Sequence, residues 1–308
     1  MQTLVLLGFV GLLAQLINGS LGMGYGITTT TSLLVMGTTP AVASATVNLS
    51  QVGSQIASGF AHWRFGNVDW AVVWRYALPA AIGAFVGALL LSRLSTESAA
   101  PLMSSILVVL GVYLLARFTF RALPRPRVDR PLRSPFLAPV GLLAGFLNST
   151  GGGGSGPVGT SALLASGRLE PRKVIGSVSV AESAVVIAGS AGFAIGLGME
   201  GINLPWVAVL LLGGLLAAPV AAWLASHVPA RMLGSVVGGL IVFTNVRVLM
   251  DSTGLTGSPA AVAACYTAVA LVWAAAVGWS LRAHLAERRD HRAAASAVEH
   301  FAAAEARD

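Results

Sequence analysis

Apolar runs of about twenty residues recur along this chain between short polar turns, at about 40–62, 69–92, 97–121, 172–198, 204–227, 229–250 and 259–283. A helix needs that length to cross the hydrocarbon core of a bilayer, so the pattern predicts seven spanning helices. Pro40, Pro171, Pro205 and Pro229 stand at or near the starts of these runs, where a missing N–H costs nothing. Two further runs, about 3–18 and 135–148, are too short to span comfortably. Each feeds a glycine-rich break, "NGSLGMGYG" from Asn18 and "NSTGGGGSGP" from Asn148, and then a second short segment at about 27–37 or 157–167. Each glycine costs about 1 kcal/mol against alanine inside a helix, so both stretches are expected to leave helical geometry.

The chain repeats itself. "GLLAQLINGSLGMGYGITTTTSLLVMG" from Gly11 and "GLLAGFLNSTGGGGSGPVGTSALLASG" from Gly141 align at an offset of about 130 residues. Asn18 matches Asn148, and Gly22, Gly24 and Gly26 match Gly152, Gly154 and Gly156. With one residue inserted, Pro40 matches Pro171 and Gln51 matches Glu182. An ordered series of asparagine, glycines and proline points to duplication rather than biased composition.

Composition agrees with a polytopic membrane protein. Of 308 residues 55% are hydrophobic and 10% charged, and mean hydropathy is +0.78. The first residues, "MQTLVLLGFVGLL", lack a basic n-region and an A-x-A site, and read as mature sequence. The single cysteine, Cys265, has no metal-ligand spacing around it, and no cofactor or metal is expected. A net charge of +7 raises nucleic acid as a partner, but the basic residues lie in loops and tails, where membrane orientation explains them. No nucleic-acid partner is expected.

Those charges predict topology. Arg117, Arg121, Arg125, Arg127, Arg130 and Arg133 place the linker 117–134 in the cytoplasm, and Arg282, Arg288, Arg289 and Arg292 place the tail 284–308 there. Counting back from the tail, 135–167 becomes a re-entrant hairpin entered from the cytoplasm, with two short spans as the alternative, and 1–37 a hairpin entered from outside. The expected fold is therefore all-α: two inverted repeats, 1–116 and 135–258, each a glycine-broken hairpin plus spanning helices, with a final helix at 259–283.

Backbone that leaves the helix at membrane depth survives only where protein or a water-filled cavity satisfies it. Two such breaks on inverted repeats would meet near the midplane, the arrangement secondary transporters use, with half-helix N-termini aimed at anionic groups. A helix starting near Pro157 would free the N–H groups of Ser155 and Gly156 to cradle an oxyanion. Three other readings compete. Small residues also serve plain helix packing. "GMGYG" is similar to a potassium-channel filter, but the second copy reads "GGGSG" and forfeits identical carbonyl rings. "GGSG" is similar to the nucleophile loop of an intramembrane serine protease, yet His62, His227, His284, His291 and His300 all fall at helix ends or in the tail. None is placed to serve as the base that such a serine requires.

After each hairpin comes a helix with a polar face. Ser44, Asn48, Gln51 and Gln55 share one helical face beside Thr46; the second copy carries Ser177, Ser179, Glu182 and Ser183. Single serines of this kind often serve only to hold helices together. Glu182 stands apart as the one acidic residue of twelve deep in a span. Intramembrane carboxylates are expensive and commonly act as proton relays, which makes it the candidate proton-coupling group; a structural hydrogen bond is the alternative. Arg75 and Arg247, about one turn inside helix ends, read as interface anchors.

The two breaks, "TPAVASATVNLSQVGSQIASGFAHWRFGNVDW" and "EPRKVIGSVSVAESAVV" together resemble the TauE/SafE sulfite-exporter family over residues 5 to 275. The specific segments are "A-T-x-N" at Ala45 to Asn48 and "H-W-R-x-G-N-V-D" at His62 to Asp69. The resemblance implies a carrier in the bacterial inner membrane, surrounded by lipid, for a small sulfur-containing anion such as sulfite, sulfoacetate or another organosulfonate, in a family of exporters and importers. Set beside the polar positions, it nominates Asn18, Gly22, Gly24, Thr46, Asn48, Gln51, Asn148, Gly154, Ser155, Ser177 and Ser179 as substrate-binding residues, with Glu182 for proton coupling. Neutral donors can desolvate an anion without holding it too tightly for release. An anion-permeable channel and a non-transporting membrane subunit are the alternative functions.

Overall fold

The computed structural model describes residues 2–21, 23–120, 132–153, 155–166, 168–198, 202–227, 230–252 and 258–305. Within them the chain is helical, with no strand. The helices are α1 (Gln2–Leu21), α2 (Tyr25–Val35), α3 (Pro40–Arg64), α4 (Trp70–Arg93), α5 (Thr96–Phe120), α6 (Ser134–Thr150), α7 (Ser161–Ser166), α8 (Pro171–Leu197), α9 (Leu204–His227), α10 (Ala230–Ser252) and α11 (Pro259–Glu305). A π-helical turn, Ser155–Thr160, precedes α7. The linker's arginines from Arg121 to Arg130 and the turn 253–257 lie outside the described residues.

Local chemistry sets these boundaries. Pro40 and Pro171 open α3 and α8, where their fixed φ suits the first turn. The Asp69 carboxylate caps α4 by accepting from the N–H groups of Ala71 and Val72, which α-helical geometry leaves without partners. At the break between α1 and α2, Gly24 takes φ 111°, a left-handed conformation costly for any residue with a Cβ.

Among the described residues five segments are long and apolar enough to cross a membrane: Trp70–Arg93, Thr96–Phe120, Arg172–Leu197, Gly234–Asp251 and Pro259–Ala286. Shorter apolar helices cover Gln2–Asn18 and Leu204–Ala217. α3 has the length at 25 residues, but buried Ser44, Thr46, Asn48, Ser50, Gln51 and Gln55 dilute its apolar character.

Packing crosses between the halves. α1, the first limb of the first hairpin, lies on α9, and α6, the first limb of the second, lies on α4. So the opening helix of each half packs on the fourth helix of the other. α3 packs on α8 and α5 on α10, each pair equivalent under the same exchange. Small residues allow the close approach: a Cβ on Gly145 would overlap the backbone of Ala80, and one on Gly11 the backbone of Leu210. α11 is peripheral. Its apolar span is largely exposed, and it is tied down where Ser280 meets Ser235 at 2.7 Å, which in turn meets Thr119 of α5 at 3.0 Å.

Candidate functional site

The two glycine breaks touch. Gly26 lies so close to Gly152 and Gly153 that a Cβ on it would overlap their backbone, and the Thr30 hydroxyl donates to the Gly152 carbonyl at 3.1 Å. Beside this contact lies a polar cavity of about 20 Å³. Asn18, Gly24, Gln51, Asn148, Ser155 and Glu182 line it, together with Gln55. Six positions nominated from sequence therefore converge from α1, α3, α6, α8 and the two breaks.

A hydrogen-bonded chain runs through the wall. Glu182 is half-buried and accepts at Oε1 from the Ser155 hydroxyl (2.8 Å) and at Oε2 from the Gln55 amide (2.5 Å). Ser155 Oγ also lies 3.3 Å from Asn148 Oδ1; its one proton serves a single acceptor at a time. Asn148 donates to Asn48 Oδ1 at 3.0 Å, and Asn48 donates to the Ser44 carbonyl at 2.9 Å. Gln51 Oε1 is buried without a hydrogen-bond partner among the described residues. A buried polar atom left open in this way calls for a water or a ligand. Glu182 meets no cation: the salt bridge found among the described residues is Arg172–Glu170, at an exposed helix start.

The remaining nominated positions behave differently. Asn48 sits behind the cavity wall, holding Asn148. Ser177 is engaged elsewhere, accepting from the backbone N–H of Asp69 at 2.8 Å. Thr46 is fully buried, with its hydroxyl unpartnered among the described residues, and neither it nor Ser179 lines the cavity. Gly22 and Gly154 lie outside the described residues. Gln55 was read as part of the polar face but not nominated for the site; its spacing of four from Gln51 was the signal that could have found it. Tyr76 carried no such signal. Its buried hydroxyl abuts Gly159 of the π turn and has no hydrogen-bond partner among the described residues.

An all-helical chain of apolar spans, crossed between its halves and enclosing a polar cavity at paired helix breaks, has the build of a membrane transporter. The comparisons with known proteins agree. The chain belongs to the sulfite exporter TauE/SafE family, whose model matches residues 7–248. It is 45% identical over 280 residues to the "Probable membrane transporter protein YtnM" of Bacillus subtilis (strain 168), covering 90% of this chain and 92% of that one. No solved structure matches it significantly. Family and relative are membrane transporters, not enzymes.

Proposed function

We propose that the chain is a secondary transporter of the bacterial inner membrane that carries a small sulfur-containing anion (sulfite, sulfoacetate or another organosulfonate) through the cavity between its two glycine breaks. The observation that carries this reading is the convergence of Gln51, Asn148, Ser155 and Glu182 on one polar space where the breaks touch. The crossed packing of α1 on α9 and α6 on α4 supports inverted repeats, with the linker and tail cytoplasmic as the arginine count predicts. Substrate is bound by the Asn148 and Gln51 amides, the Ser155 hydroxyl and the N–H groups that open α2 and the π turn, all neutral donors.

A cavity of about 20 Å³ holds about one water, so an anion with three oxygens enters only when the hairpin tips part. Glu182 sets the coupling. A protonated carboxyl tolerates the anion and can donate to it, whereas an ionised one repels it across a poorly screened gap. Proton and anion therefore favour each other's binding, reciprocally.

The test is reconstitution of the pure protein into liposomes with labelled sulfite, sulfoacetate and a longer organosulfonate. Saturable, mutually competitive uptake of at least one, lost in Asn148→Ala, is the expected result. Flux of none would leave a non-transporting subunit; non-saturating, voltage-driven conductance would mean a channel.

A further inference from the structure

The exchange that relates the two halves is broken at one pair of junctions. At one end, the turn before α4 is fastened to the start of α8. The Asp69 N–H donates to Ser177 Oγ at 2.8 Å, Lys173 Nζ donates to the Val68 carbonyl at 3.4 Å, and Gly176 fits so closely under Asn67 that a Cβ would overlap its carbonyl. α4 then follows α8 along its length, through Gly192 against Ala88 and Gly196 against Ser92.

The offset that matches Pro40 to Pro171 matches Thr46 to Ser177 and Val42 to Lys173. The residue equivalent to Asp69, heading α9 as Asp69 heads α4, is Asn203, whose Oδ1 accepts from the Trp206 N–H at 3.2 Å. No matching bond is made among the described residues. The Thr46 hydroxyl is buried and unpartnered among the described residues, α9 meets α3 far more sparsely than α4 meets α8, and an open cavity of about 620 Å³ lies between Thr39, Val42, Ile202, Asn203 and Trp206.

We infer that Asp69–Ser177 and Asn203–Thr46 are the two latches of the transport cycle, closed one at a time, and that the structure holds the first shut and the second open. When the cycle reverses, α9 settles onto α3 as α4 now lies on α8, the Asn203 N–H reaches Thr46 Oγ, and the Asp69–Ser177 bond releases. The unpartnered Thr46 hydroxyl is thus an acceptor kept for the other state, and Thr46 and Ser177 serve conformation rather than substrate contact. This rests on the inverted-repeat reading above.

The test follows conformation, not flux. In a Cys265→Ser background, Val42→Cys reports the open junction and Val68→Cys the closed one, each challenged with an impermeant thiol reagent on either face of oriented vesicles. Both reporters should react, from opposite faces, with Val42→Cys the faster. Ser177→Ala removes one net hydrogen bond from the present state and should raise the ratio of Val68→Cys to Val42→Cys labelling about five-fold, the second rate falling as the first rises. Thr46→Val should move the ratio the other way, and Ser177→Thr, which keeps the hydroxyl, should restore it. Labelling of both reporters from one face overturns the inverted repeat and the latches with it. Opposite faces with a ratio that neither Ser177→Ala nor Thr46→Val moves, or a rise at Val68→Cys without a fall at Val42→Cys, overturns the latches alone.

Discussion

The two breaks begin from the same sequence plan and end differently. After left-handed Gly24, a regular α-helix starts at once with Tyr25. After left-handed Gly152 the chain instead enters a π turn over Ser155–Thr160, a form that adds a residue to each hydrogen-bonded loop and is frequent at functional sites. The helix behind the first break offers the cavity a neutral Gln51; the helix behind the second offers Glu182 at the matching position. Asn148 is 3% exposed and bonded to Asn48, while its counterpart Asn18 is half-buried. The two breaks share a sequence plan, yet the cavity's one carboxylate, Glu182, comes from the second side only. Under the proposed function that asymmetry matters: two carboxylates would repel a bound anion, and none would leave no proton to couple.

Removing the asymmetry should have the largest effect. Gln51→Glu places a second carboxylate in the cavity, and like charges about 4 Å apart at an effective dielectric near 20 repel by about 4 kcal/mol. Anion affinity at neutral pH should fall on the order of a hundred-fold after allowing for partial protonation, read as the half-saturating concentration for uptake. An unchanged value would take Gln51 out of the site.

Next in size is pH. Binding linked to one proton weakens as pH rises through the titration of Glu182, approaching about ten-fold per unit above it. Glu182→Gln imitates the protonated form, so it should bind throughout with a flat profile and carry no protons, measured with a pH-sensitive dye inside the liposomes. A wild-type profile in that variant would make Glu182 a structural hydrogen-bonding residue.

The asparagines sharpen the contrast between halves. Asn148→Ala leaves Asn48 Oδ1 without its donor, and losing a buried hydrogen bond costs roughly 1–3 kcal/mol. Affinity should drop ten-fold or more, on the order of what that range implies, whereas Asn18→Ala should cost only a few-fold. Equal losses would mean that the halves contribute symmetrically. Smallest is Gly24→Ala. Among the described residues the new Cβ would meet only Ile17 Cγ2, at 3.4 Å, so the penalty is the left-handed backbone, about 1 kcal/mol, visible as a modest fall in melting temperature in detergent.

Much of this could be read from the chain beforehand, because apolar run length and proline placement bear directly on where helices begin and end. Expected segments such as 40–62 and 69–92 differ by only a residue or two from α3 (Pro40–Arg64) and α4 (Trp70–Arg93). The breaks were placed less well. α1 continues through Asn18, Gly19 and Ser20 to Leu21, since a single glycine weakens a helix by about 1 kcal/mol without ending it. The π turn was invisible, as hydrophobic periodicity does not register one added residue. Thr46 and Ser177 were grouped with the cavity because they are polar and near Gln51 and Glu182 in sequence. Five positions along a helix is about 140° around it, which turns both away from the cavity. No feature of a single chain indicates that the Asp69 N–H meets Ser177, because that contact joins residues 108 positions apart.

α11 carries a mechanical consequence. At 47 residues without a break and 1.5 Å per residue, it is about 70 Å long, against roughly 30 Å of hydrocarbon. More than half of its length exceeds that thickness, joined to the apolar span by one continuous helical backbone. A continuous helix passes part of any turn imposed on its far end along its length, and the Ser280, Ser235 and Thr119 hydroxyls are one place where that load meets α10 and α5.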